Sequence, residues 1–405
     1  MPVLDDLLGE GDFLLNLSVN VSSLALIAYC QARGVLYPDT CLEPWAGGYT
    51  ERKKTPAERT NCALRETALS LRSAGPGQAT AVITHGANPG LVSHLLKQAL
   101  LDLAQISQPP SEAQSPAPGN RKGWARLAQT LGIRVVHIAE RDTQVGAQRK
   151  ALGAFVNTWS VEGFHGEGCQ PAELGWGSHE RHFPADGRRH TEGCRAAIYL
   201  DRPGARTQVC SWTPLAGPQQ AFLITHGESI SIADYLTLGD PDQTDYRPTV
   251  HYAYHPCDDA VLSLHELAGR NWRLQAQRRL LRDDIVSGTD ALGVLLMGHA
   301  GGAYGYGSCL TIEQVRASAE FNSATTLQVT AAVMAGVVWA MQHPKQGLTE
   351  PEDMPFAEVL ALCRPYLGEV VGVFSDWTPL DGRGALFSEP LDRDDPWQFV
   401  NFRVF

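Results

Sequence analysis

Asp39-Thr40-Cys41-Leu42-Glu43-Pro44-Trp45-Ala46-Gly47-Gly48-Tyr49 and, further on, Thr84-His85-Gly86-Ala87-Asn88-Pro89-Gly90 decide how this chain is read. Each follows a short apolar run, Gly34-Val35-Leu36-Tyr37 before the first and Ala79-Thr80-Ala81-Val82-Ile83 before the second. Acids, an amide and aromatics therefore stand on loops at the ends of predicted strands, where a doubly wound α/β sheet binds its ligands. Upstream, residues 12–19 read as another apolar strand and 22–33 as a helix begun by a serine cap. Thr55-Pro56-Ala57-Glu58 carries the cap, the N1 proline and the N3 glutamate of a helix start, which predicts a helix through Asn61 and Arg65 to about Ser73. An apolar helix over 91–103 follows the strand that ends at Thr84.

Farther along, residues 105–123 are rich in Pro, Ser, Ala and Gln and predict a surface loop or insertion. A strand, Val135-Val136-His137-Ile138, leads into Glu140-Arg141-Asp142-Thr143-Gln144. Residues 152–260 read as mixed strand and loop, 271–285 as a charged amphipathic helix, 292–297 as a strand and 322–342 as a long apolar helix. Polar Asn322, Ser323, Thr325, Thr326, Gln328 and Thr330 fill the first half of that helix, so a buried helix is expected rather than a membrane span. The fold class expected is α/β: a partial Rossmann-like (doubly wound) domain over 1–104, the 105–123 loop, and a mixed α/β substrate-binding and dimerisation domain over 124–405.

With 405 residues the chain exceeds one ordinary core. Hydrophobic residues make up 43% and charged ones 19%. No apolar run reaches the ~18 residues a membrane span needs and no signal peptide opens the chain, so a soluble cytoplasmic protein without a membrane partner is expected. Nine cysteines without a C-x-x-C pair suit reduced thiols better than a disulfide framework or a zinc finger. A formal charge of −11 argues against a nucleic-acid partner and suits a cationic ligand, although acidity also serves plain solubility.

Two further constellations carry chemistry. In Asn157-Thr158-Trp159-Ser160-Val161-Glu162-Gly163-Phe164-His165-Gly166-Glu167-Gly168, Trp159 is either a core residue or a cover for a cation, and the acids can pair with ammonium groups. Thr225-His226-Gly227-Glu228 follows the apolar Phe222-Leu223-Ile224, placing a histidine that is either structural or a proton carrier beside an acid. No metal is expected: His251 and His255 stand too far apart along a strand, and Arg181, Arg188 and Arg189 interrupt the set His179, His182, His190 and Cys194. No strand followed by G-x-G-x-x-G opens the chain, and the only similar glycine cluster, Gly298 to Gly307, lies late and lacks that spacing.

The wording of the two opening loops, of 157–168, of Arg247-Pro248-Thr249-Val250-His251-Tyr252-Ala253-Tyr254-His255-Pro256-Cys257-Asp258-Asp259 and of Asp392-Arg393-Asp394-Asp395-Pro396-Trp397-Gln398-Phe399 resembles the bacterial homospermidine synthases over most of the chain. The resemblance implies a homodimeric, NAD-dependent aminobutyl transferase. Such an enzyme joins two putrescine molecules through oxidation to an imine, amine exchange and re-reduction, and releases ammonia. It implies Glu140, His226 and Asn88 at the reacting amine, Trp159, Glu167, Glu43 and Glu228 around the polyamine, and Asn16, Ser18, Ser22 and Ser23 beside NAD. The family's glycine loop precedes the match to Asn16-Leu17-Ser18-Val19, so the chain is expected to lack the family's first strand, helix and following strand. Two alternatives stay open. One is a saccharopine dehydrogenase-like reductive amination of an amino acid or carboxylated polyamine, which needs an arginine clamp such as Arg141; the other is a truncated remnant that binds polyamine without turnover.

Overall fold

The structure, a computed structural model, describes residues 2–72, 77–107, 117–240 and 243–405. A small parallel sheet is built from Tyr37–Pro38, Ala81–Val82 and Leu348–Thr349 in that order. The extended residues 12–16 run parallel beside it, bridging Phe13 to Leu36 and Asn16 to Asp39. The helix Ser23–Arg33 begins where the Ser22 hydroxyl accepts the Ala25 N–H and stops at Gly34, whose φ of 70° is the left-handed conformation glycine tolerates. Leu26, Ile27, Cys30, Val35, Tyr37, Ile83 and Leu348 form this unit's apolar core.

The helix expected from Thr55 to Ser73 is two pieces. Thr55 and Glu58 do exchange capping hydrogen bonds, but they open only a 3-10 turn, Ala57–Arg59. Thr60 is extended at φ −82°, ψ 157°, and recaps the helix Asn61–Leu69 through the Ala63 N–H. The break frees the first N–H groups of the second piece, those of Asn61 and Cys62, for the buried Glu173 carboxylate.

The large sheet runs Glu369–Ser375, Ala303–Thr311, Thr289–Met297, Val135–Asp142, Thr249–His255, Pro171–Gly175, Ala197–Pro203 and Gly187–Arg189, with the hairpin Gln208–Thr213/Gly217–Phe222 joined to Thr249–His255. Its centre is the parallel pair Val135–Asp142 and Thr249–His255. Side-chain alternation along Val135–Asp142 divides two cores. Val136 and Ile138 pack with the helices Leu91–Ser107 and Ala324–Gln342, while Val135 and Ala139 pack with Trp377, Phe399 and Phe402 of the C-terminal segment. Glu140 has the parity of Val136 and Ile138 and so points toward the small sheet's side. It stands within the strand, which continues to Asp142, and not on the loop expected after Ile138.

The charged helix expected over 271–285 does not form. Asn271 and Trp272 take φ of 53° and 65°, ending the helix Asp258–Gly269, and Gln277–Leu280 is a strand parallel to Ala154–Asn157. The arginines that imitate a helix's polar face point outward from this strand instead, Arg278 to Glu162 and Arg279 to Asp284. Within 105–123, helix occupies both ends, through Ser107 and from Arg121, and 108–116 lie outside the described residues. The glycines from 298 to 307 make a hairpin turn and the strand after it, with Gly298 and Gly302 at φ of 100° and 84°.

The helix Ala324–Gln342 is long and apolar enough to cross a membrane by length and composition, yet 56% of that window is buried in the fold. A capping box between Ser323 and Thr326 starts it. Its backbone closes on the loop that carries Asn88: His85 Nδ1 lies 2.9 Å from the Ala332 carbonyl oxygen, and a Cβ on Gly336 would sit 2.8 Å from the same nitrogen.

Candidate active site

A cleft of about 290 Å³ opens where the carboxyl ends of the small sheet's strands face the centre of the large sheet. Glu43, Glu140, Glu167, His226, Trp159 and Asn88 line it, and no lysine or arginine does. Five chain segments that are distant in sequence supply these groups, together with Thr325 and Thr326 from the first turn of the helix Ala324–Gln342.

At one end, Asn88 Nδ2 donates to Glu140 Oε2 at 2.6 Å, and the Tyr252 hydroxyl donates to the same oxygen. The Asn88 loop is held by Asp39, which accepts the Thr84 N–H at 2.7 Å on its side chain and the His85 N–H at 2.8 Å on its carbonyl. Burial pushes the Glu140 carboxyl up to about 7, and the hydrogen bonds from Tyr252 and Asn88 hold it from rising further. A carboxyl at that value exchanges protons near neutrality. Tyr252 stacks on Tyr254 at 5.2 Å, and the Tyr254 hydroxyl accepts the Trp159 indole N–H at 3.0 Å, so one aromatic tier fixes both Glu140 and Trp159.

At the other end stand Glu43 and Glu167. Burial and then the charge of Glu167 push Glu43 up to about 7, against donors from Asn20 N–H and Cys41. His226 lies between the two ends: Nε2 is 3.1 Å from Glu167, Nδ1 is 3.6 Å from Glu228, and the ring lies 4.4 Å from that of Tyr252. Burial disfavours charge on His226, but Glu167 and Glu228 outweigh it and raise the group to about 10. With that charge, His226 pairs with Glu167 at hydrogen-bond distance and faces Glu228 without a hydrogen bond. Glu228, expected around the polyamine, is 1% exposed and does not line the cleft, whereas His226 does.

The candidates at the amino end divide. Leu17 and Val19 line the cleft, whereas Asn16 donates to the Tyr37 hydroxyl at 2.9 Å, Ser22 caps its helix and Ser23 donates to the Cys41 carbonyl. Ser18 is exposed and bonds Asn16. Glu162 turns out to Arg278. Arg141 donates to His255 at 2.7 Å and to the Pro256 carbonyl, outside the cleft, so no carboxylate clamp stands there. Tyr252 and Thr325 also line the cleft and Asp39 braces its Asn88 loop, places that the sequence alone does not assign to them. Alternation in Thr249–His255, which sets Tyr252 and Tyr254 on one face, was the available signal for the first.

The model of the saccharopine dehydrogenase C-terminal domain matches residues 86–374, and that of the saccharopine dehydrogenase NADP binding domain matches residues 2–82. The chain is 53% identical over 397 residues to a homospermidine synthase of Blastochloris viridis, covering 98% of this chain and 82% of that protein. It is 49% identical over 405 residues to a homospermidine synthase of Mesorhizobium japonicum, covering 100% of this chain and 83% of that one. The crystal structure of the homospermidine synthase of Legionella pneumophila in complex with NAD superposes with a TM-score of 0.91 at 48% identity, covering 100% of this chain and 84% of that chain.

Proposed function

The chain belongs to the homospermidine synthases of the saccharopine dehydrogenase family, and we propose that its acidic cleft joins two putrescine molecules into homospermidine with release of ammonia. The charge of the cleft carries the choice of substrate: Glu43, Glu140 and Glu167 outnumber its cation His226, and no lysine or arginine lines it, which suits a diamine charged at both ends and disfavours a carboxylate.

The cofactor is NAD. Leu17, Val19, Thr40, Gly86 and Ala87, at the carboxyl ends of the parallel strands, fit its nicotinamide and ribose, and a Cβ on Gly86 would press on the Pro89 carbonyl oxygen at 3.3 Å, so the loop packs closely there. The 405 residues contain no G-x-G-x-x-G loop, so these positions fit the nicotinamide end and not the diphosphate. When bound, NAD accepts a hydride from the carbon bearing the reacting amine and later returns it, leaving no net oxidation.

Glu43 and Glu167 hold the distal ammonium, which sets how far the diamine reaches across the cleft. Glu140 takes the proton from the reacting amine nitrogen, since an ammonium has no lone pair to offer, and returns it to the departing ammonia. Asn88 and Tyr252 fix the carboxylate oxygen that does this. The Trp159 face covers the methylene chain and its nearby positive charge, and its indole N–H is anchored on Tyr254. His226, charged, pairs with Glu167 and aims its carboxylate. Incubating the folded chain with NAD and putrescine and identifying products by mass spectrometry tests the reading. Homospermidine and ammonia in equal amounts are expected, and their absence from a sample that binds NAD would remove it.

A further inference from the structure

Away from the cleft, the helix Asn61–Leu69 meets the loop that joins the strands Gly187–Arg189 and Ala197–Pro203. Cys62 and Glu66 stand one turn apart on the helix, and so on one face of it; His190 and Cys194 stand four apart on the loop. One ligand atom each of Cys62, Glu66 and Cys194 lie within 4.8 Å of one another, as do those of Cys62, Glu173 and His190. Cys62 and Glu173 are buried. Gly193, at φ 71°, brings the loop so close that a Cβ there would lie 2.4 Å from the Glu66 carboxyl carbon, so the loop is shaped around that carboxylate.

We propose that Cys62, Cys194 and His190, with Glu66 or Glu173 as the fourth ligand, bind a zinc ion. Two thiolates, an imidazole and a carboxylate are ligands that zinc takes in tetrahedral sites, at about 2.0–2.3 Å each, and Cys62, common to both sets of three, is the ligand around which the others would close. The arginines that interrupt the set in sequence are turned away: Arg181 pairs with Asp392, Arg188 with Asp201, and Arg189 lies over Phe183. Arg65, 3.3 Å from Glu66, is already held by Glu350 and Asp234. His190 Nε2 sits 2.9 Å from Glu173 Oε1, and the other Glu173 oxygen accepts the Asn61 N–H and the Thr225 hydroxyl, an outer set of bonds that orients the carboxylate.

Zinc there would pin the small unit's helix to the large sheet beside the cleft, because Asn61 donates to Thr225, the residue before His226. Binding releases the two thiol protons, so affinity falls as pH falls. The test uses the full chain, reduced, loaded with zinc and desalted, with metal content read by plasma mass spectrometry and the site then exchanged with cobalt. About one zinc per chain is expected, with a thiolate-to-cobalt charge-transfer band, and a Cys194→Ser/His190→Ala double variant shown folded by circular dichroism should lose at least about tenfold in affinity. Less than about a tenth of an ion per chain after loading, a cobalt spectrum without thiolate bands, or a folded double variant that keeps its metal would each overturn the site.

Discussion

In the proposed reaction Glu140 and His226 are the two groups whose titration matters, Glu140 as a proton carrier near neutrality and His226 as a standing charge. Replacing Glu140 with Gln should lower kcat by about 10²–10⁴-fold while putrescine still binds by calorimetry. The wild-type rate should rise with pH through about 7 as Glu140 ionises, and that limb should vanish in the variant. Because the carboxyl is raised from 4.5 in the fold, its contribution to stability is present below pH 4.5 and is lost as pH rises through about 7; denaturant titrations of Glu140→Gln should lack that loss. His226 is raised from 6.5 to about 10, so its contribution is fully present below pH 6.5 and is lost as pH rises through about 10. His226→Gln leaves two acids without their cation and should cost about 3–5 kcal/mol near neutrality, with a smaller deficit at pH 10.5. Equal deficits at both pH values would contradict a charged His226. In sequence, Asn88, Glu140 and His226 all read as strand-end residues, which is enough to nominate them. Their charge states were not legible, because the acids that set His226 come from a separate helix, Glu167, and from the first turn of the helix that His226 caps, Glu228.

Among the elements, the loop carrying Asn88 is tightly constrained. Gly90 sits at φ 125°, and a Cβ there would lie 2.4 Å from the Gly86 carbonyl oxygen. Gly90→Ala should shift Asn88 off Glu140, lowering kcat at least about tenfold and destabilising the chain by about 1–3 kcal/mol in thermal unfolding. A variant with wild-type turnover would mean that the loop's placement does not matter. Local signals read the helix Ser23–Arg33 well, since the Ser22 cap and Gly34 stop both act within a turn. They failed at 271–285, where periodic arginines suggested a helix but two residues with positive φ and pairing with the distant Ala154–Asn157 impose a strand. They also could not show Leu348–Thr349 joining the small sheet beside Ala81–Val82, because short apolar pairs carry no signal of their partner.

On the scale of the whole molecule the formal charge is −11, and the cleft shares that sign through Glu43, Glu140 and Glu167, with His226 its cation and no arginine or lysine lining it. Binding should therefore depend on both ammonium groups. Butylamine should bind at least about tenfold more weakly than putrescine, and putrescine affinity should fall as salt rises from about 0.05 to 0.5 M. Salt-independent binding, with butylamine as tight as putrescine, would mean that the acids do not measure the diamine. The claim that joins fold to chemistry is that small-sheet loops and the large sheet's centre together hold a diamine with its reacting amine at Glu140. Turnover of putrescine in the presence of NAD, followed side by side for the wild-type chain and Glu140→Gln, tests it most directly. Homospermidine and ammonia from the wild type, without accumulation of reduced cofactor, and almost none from a variant that still binds putrescine is the outcome expected; equal turnover by the two proteins would contradict it.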